Sequence, residues 1–144
     1  MSSKSYILSK QERNVLVKFR SQFSNGAKCT YCQKELTFRE IKIDHKIPVS
    51  RGGETTFENL TVACQWCNSE KGMKTVEEYD LYLTFKNAMN KYSTQTLVDS
   101  LDYYQDILRT TRNNGELDTD GFPICWKCQA ISKLLNKRVK NEHR

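Results

Sequence analysis

Four of the six cysteines fall into two Cys-x-x-Cys pairs, Cys29 with Cys32 and Cys64 with Cys67, and an Asp-His dyad, Asp44-His45, lies between them. Two residues between cysteines let both thiolates reach one ion at about 2.3 Å. A single pair reads equally well as two small buried hydrophobes. Two pairs complete an all-sulfur tetrahedron, the pattern of structural Zn²⁺, because no position is left for water or substrate. The dyad offers different chemistry. An aspartate is a hard oxygen ligand suited to Mg²⁺ or Mn²⁺, and a histidine titrating near 6.5 can take a proton from water at neutral pH.

These groups need elements to hold them. Ser9 and Glu12 form a capping box, and Val15, Leu16, Phe19 and Phe23 recur at helical spacing, so a helix is expected over residues 10–23. Asn25-Gly26 ends it. Residues 33–40 read as a polar connector with one helical turn. A short strand over 41–45 carries the dyad, Pro48 stops its pairing, and a second strand over 60–63 returns as the other arm of an irregular hairpin. Alternation puts Asp44 and His45 on opposite faces, so one site can use both only where the strand bends or ends. A helix should start near Trp66 or Cys67, with Asn68 and Lys71 on one face.

The series Asp44-His45, Pro48, Gly52-Gly53, Asn59-Leu60, Cys64, Cys67-Asn68 and Lys71, preceded by Cys29 and Cys32, resembles the HNH endonuclease family in its cysteine-rich form. The resemblance covers about a third of the chain. It implies a small zinc-stabilised ββα-metal core; with the N-terminal helix and the C-terminal helical extension read from apolar spacing, an α+β fold is expected. It also implies a metal-dependent DNA endonuclease that hydrolyses phosphodiester bonds, by nicking or by double-strand cleavage. His45 would be the general base, and Asp44 and Asn68 would bind one divalent cation. Asn59 would tie the long loop back and orient the base. Asn68 stands where some members keep a histidine, which favours Mg²⁺ or Mn²⁺ over a softer catalytic ion. Lys46, Arg51, Lys71 and Lys74 flank the site and are the candidates for phosphate contacts. Trp66 either stacks on a base or packs beside the zinc. The alternative is a non-catalytic zinc module that binds nucleic acid, for which Asp44, His45 and Asn68 would be superfluous.

The charge map suits a polyanion partner, with double-stranded DNA the expected one. Of a net +6, residues 1–74 carry 13 Lys or Arg against 7 Asp or Glu, residues 75–124 carry 4 against 9, and residues 125–144 carry 6 against 1. The basic segments would meet phosphate, and the acidic middle would face away. Mean hydropathy is −0.71. No apolar run is long enough for a membrane span, and the first residues lack the apolar core of a secretion signal. A reducing, cytoplasmic setting is expected, in which paired cysteines hold metal rather than form disulfides.

Apolar spacing predicts helices from residue 75 to about 90 and from 94 to 112, then a linker, then a basic helix over about 129–140. The resulting division is 1–26, 27–74 (the nuclease core), 75–112 and 113–144. A homodimer or a protein partner would use residues 75–144. Asp118-x-Asp120-Gly121 reads as a loop, because the later ligands of a calcium site are missing. Cys125 and Cys128 remain open: half of a second metal site completed by a partner or second copy, a redox pair, or buried packing. The histidine left over for such a site is His143.

Overall fold

The computed structural model describes residues 7–111, 116–118 and 120–142. His143 lies outside them. The chain is α+β, with two two-stranded sheets and helices among the described residues, and it divides into two compact units, Met1–Glu77 and Glu78–Arg144. No helix among the described residues is long and apolar enough to cross a membrane.

In the first unit α1 spans Lys10–Ser21, with the Ser9 hydroxyl accepting the Glu12 N–H at 3.1 Å. Its inward face delivers Phe19 to a buried cluster with Leu36, Ile41, Leu60, Val62 and Ala63, on which Val15, Leu16 and Phe23 also pack. The N-terminal helix therefore belongs to the same core as the cysteine pairs. The Arg20 guanidinium reinforces this by donating to the carbonyls of Phe38 and Ile41 at 2.9 and 3.0 Å.

Two short strands, β1 (Ala27–Lys28) and β2 (Glu35–Leu36), pair antiparallel and carry the first cysteine pair in the turn between them. Sequence reading assigned residues 33–40 to a connector, since two-residue strands show no period. Gly26 enters this hairpin at φ 90°, and a Cβ there would lie 2.4 Å from the Leu36 carbonyl oxygen. The expected turn is a 3₁₀ segment, Phe38–Glu40, capped reciprocally by Thr37 and Glu40.

The second hairpin pairs β3 (Lys42–His45) with β4 (Leu60–Ala63), Asp44 opposite Thr61 and His45 opposite Leu60. The loop between them contains 3₁₀ turns at Val49–Arg51 and Phe57–Asn59. Helix α2 (Gln65–Lys71) follows directly and ends at Gly72, whose φ is 54°. Strand, strand and helix thus form one ββα unit.

Helix α3 spans Val76–Met89, and its Tyr79 and Tyr82, in the second unit, are both fully buried and stacked with centroids 5.7 Å apart. Helices α4 (Thr94–Thr111) and α5 (Ile124–Glu142) pack through Leu97, Ile131 and Leu134, with Leu101, Tyr104 and Leu135 around them. Helix α5 begins five residues before the expected position, so Cys125 and Cys128 lie on its first turns.

Candidate active site and zinc centre

The Sγ atoms of Cys29, Cys32, Cys64 and Cys67 all lie within 4.8 Å of one another, with Cys32 and Cys64 at 3.9 Å. A tetrahedral ion with bonds of about 2.3 Å requires sulfurs about 3.8 Å apart, so the four fit zinc in number, chemistry and spacing. The two loops are built for it. Cys64 caps α2 by accepting the Cys67 N–H at 3.4 Å, and in the first loop Gln33 takes φ 64° while its N–H reaches the Cys29 carbonyl at 3.0 Å. Burial works against the Cys29 thiolate, but backbone N–H groups of Cys32, Cys64 and Tyr31 aim at its sulfur and bring its pKa down to about 7. Burial and the neighbouring sulfurs push Cys67 well up, and burial likewise raises Cys32. Metal binding therefore has to displace protons from these thiols.

Asp44 is buried, and both of its carboxylate oxygens have partners: the Tyr31 hydroxyl donates to Oδ2, and the Lys71 ammonium donates to Oδ1 at 3.2 Å. Lys71 also donates to the His45 carbonyl at 2.9 Å. It is 0% exposed. Lys71 was expected at a phosphate; instead helix α2 aims it into the hairpin, where it neutralises the carboxylate. Lys74, another candidate for phosphate contact, also points inward. It is 5% exposed, with its ammonium on the Glu70 carbonyl at 3.1 Å. Lys46 and Arg51 are exposed, and the Arg51 guanidinium reaches the Met73 carbonyl at 3.4 Å.

Strand β3 ends at His45, which allows neighbours on opposite faces to flank one corner. The His45 Nε2 lies 3.0 Å from the Thr55 hydroxyl on the connecting loop. Burial lowers the imidazole pKa; the nearby Asp44 charge opposes this and Lys71 adds to it. The neutral ring, the form able to accept a proton, thus predominates at neutral pH.

Asn59 locks that loop. Its Oδ1 accepts the Ile47 N–H at 2.9 Å, and its Nδ2 donates to the carbonyls of Ile47 and Glu54 at 3.0 and 2.8 Å. The Asn59 carbonyl also accepts the Lys46 N–H at 2.7 Å. Gly53 is required beside it, since a Cβ would sit 1.7 Å from the Ile47 carbonyl oxygen. The Val76 N–H reaches the Lys46 carbonyl at 3.1 Å, tying the segment after His45 to the start of α3. Asn68 is half-buried on α2.

A carboxylate offers about four lone-pair sites, of which two are used in Asp44, and a carboxamide oxygen is equally hard. By donor chemistry, each is the type of oxygen ligand that suits a hard divalent cation. Tyr31 sits inside a cysteine pair in the sequence, but its contact with the buried Asp44 is visible only in three dimensions. Burial and then Asp44 raise its pKa far above neutrality, which keeps the hydroxyl a donor. Trp66, weighed between base stacking and packing beside the zinc, is 71% exposed, so it does not pack there.

In the second unit Asp118 and Asp120 grip the buried Lys127 ammonium at 2.7 and 2.8 Å, which accounts for the acidic loop without calcium. Cys125 and Cys128 are half-buried, and no third ligand-capable side chain joins them among the described residues.

Residues 29–80 match a family model described as HNH endonuclease. A CRISPR-associated endonuclease Cas9 from Corynebacterium diphtheriae is 33% identical over 73 residues, which is 50% of this chain and 7% of that protein. The chain thus matches a small part of a much longer relative. The ββα unit, its cysteine centre and the Asp44-His45 corner all fall inside the matched span, and residues 29–80 form a domain of the HNH endonuclease family.

Proposed function

We propose that the protein is a DNA endonuclease that hydrolyses phosphodiester bonds at the Asp44-His45 corner. The observation carrying this reading is the dyad at the end of β3: a buried, doubly hydrogen-bonded carboxylate beside a half-buried imidazole of lowered pKa. His45 is oriented by the Thr55 hydroxyl and takes the proton of the attacking water. Asn59 fixes the loop that carries Thr55, so the base is held before substrate arrives. A divalent cation on Asp44 and Asn68, Mg²⁺ or Mn²⁺, would supply positive charge to the phosphate and the leaving 3′ oxygen. Lys46 and Arg51, both exposed beside this loop, bind backbone phosphates. The four-cysteine centre holds zinc and sets the frame without touching substrate.

The test is cleavage of supercoiled plasmid by the purified, zinc-loaded chain with EDTA, Mg²⁺ or Mn²⁺, run beside His45→Ala. Metal-dependent nicking or linearisation that disappears in the variant is the expected result. Retained cleavage by a folded His45→Ala protein would remove the general-base role. Absence of cleavage by the folded wild type would overturn the reading in favour of a zinc module that only binds nucleic acid. One catalytic corner cuts two strands by successive nicks or with a second copy, and the order in which nicked and linear products appear separates these routes.

A further inference from the structure

The two oxygens of Asp44 are held from two separate elements, and one of these is the zinc loop. Thr30 docks that loop onto β4: its N–H reaches the Val62 carbonyl at 3.0 Å, and its hydroxyl meets the Thr61 hydroxyl at 2.6 Å. Thr61 is the ladder partner of Asp44. The next residue, Tyr31, is thereby carried across the hairpin, and its hydroxyl ends on Asp44 Oδ2. Cys29 and Cys32 flank Thr30 and Tyr31 directly, so the tyrosine rides on the same short loop as two of the four clustered cysteines. From the other side, α2 supplies Lys71 to Oδ1. The same helix contains Cys67, and Cys64 is its N-cap.

We propose that Tyr31 is a positioning residue for the candidate cation site: with Lys71 it fixes the orientation of the Asp44 carboxylate, and it couples that orientation to the zinc centre. This rests on the nuclease reading given above. The physical reason is that a buried carboxylate hydrogen-bonded through one oxygen can still pivot about its side-chain torsions, whereas donors on both oxygens, anchored to different elements, leave one orientation. Partners that orient a ligating carboxylate are worth roughly 10- to 100-fold in metal affinity. The Tyr31 hydroxyl contributes no ligand atom of its own, so its loss should be felt in affinity for the cation, beyond the stability cost of one hydrogen bond to a buried carboxylate.

The experiment titrates Mn²⁺ into full-length, zinc-loaded wild type, Tyr31→Phe and Asp44→Asn, reading free Mn²⁺ by electron paramagnetic resonance and checking zinc content and thermal midpoint in parallel. The wild type should bind Mn²⁺ at a site lost in Asp44→Asn. Tyr31→Phe should weaken that site about 10- to 100-fold while retaining its zinc and a cooperative transition, its midpoint lowered by no more than one lost hydrogen bond accounts for. Unchanged affinity in Tyr31→Phe, with the site still lost in Asp44→Asn, would overturn the positioning role and leave the nuclease reading standing. A wild type without Asp44-dependent Mn²⁺ binding would overturn both. Thr30→Val carries the test if Tyr31→Phe loses its zinc. Thr30 is exposed, and its hydroxyl docks the loop without touching Asp44. That variant should weaken Mn²⁺ several-fold, and wild-type affinity there would overturn the proposal.

Discussion

Replacing Asn59 separates its hydrogen-bonding role from its size. The side chain makes three bonds, one accepted from the Ile47 N–H and two donated, to the Ile47 and Glu54 carbonyls. At about 0.5–1.5 kcal/mol net each, they sum to roughly 1.5–4.5 kcal/mol. The three contacts lie near the surface, where water can replace the lost partners, so Asn59→Ala should cost about 2 kcal/mol. Asn59→Asp is the sharper variant. It keeps the shape and the acceptor for Ile47 N–H but turns the donating end into a carboxylate oxygen facing two carbonyl oxygens. At neutral pH it should cost at least as much as alanine. Part of that loss should return as pH falls through the new carboxyl's pKa, because a protonated carboxyl can again donate. Equilibrium urea unfolding followed by circular dichroism at fixed zinc measures both costs. Plasmid cleavage should fall by about 100-fold in either variant under conditions where it is still folded, the scale expected when a catalytic group is misplaced by about 1 Å. An Asn59→Asp protein as stable and active as wild type at pH 7 would refute the claim that these donated bonds hold the loop.

Cys64→Ser removes a candidate zinc ligand and the thiol that caps α2; it should lose bound zinc and the cooperative unfolding of the first unit, and a variant with wild-type zinc content and unfolding would count against the centre. DNA binding should weaken steeply with salt, and Lys46→Ala should lower the slope of log affinity against log salt by about 1; an unchanged slope would exclude Lys46 from phosphate contact. Because burial lowers the His45 pKa, the neutral base persists below the ordinary histidine value, and a cation on Asp44 would push the same way. The acid limb of the cleavage rate should therefore have its midpoint below about 6.5, and a midpoint at or above that value would refute the assignment.

The sequence by itself determined whatever depends on short spacing. Two Cys-x-x-Cys pairs are legible as a candidate zinc centre because each pair is a local loop. Helices α1, α3 and α4 follow from apolar periods and caps that act within a few residues, and the Asp44-His45 dyad is legible as adjacent residue types before a proline. Tertiary structure decided which polar groups face inward, because that depends on partners far along the chain. Lys71 meets Asp44 across 27 residues and Tyr31 meets it across 13, and no periodicity marks either pairing. A lysine beside a candidate site reads as a phosphate contact until the fold shows it buried as a counter-ion. Trp66 shows the reverse, since its position between two zinc ligands suggests burial while the direction of α2 leaves it outside. The β1–β2 hairpin leaves no signal in the sequence because two-residue strands are held by their cross-strand bonds and by the cysteine loop between them, and neither gives a periodic pattern.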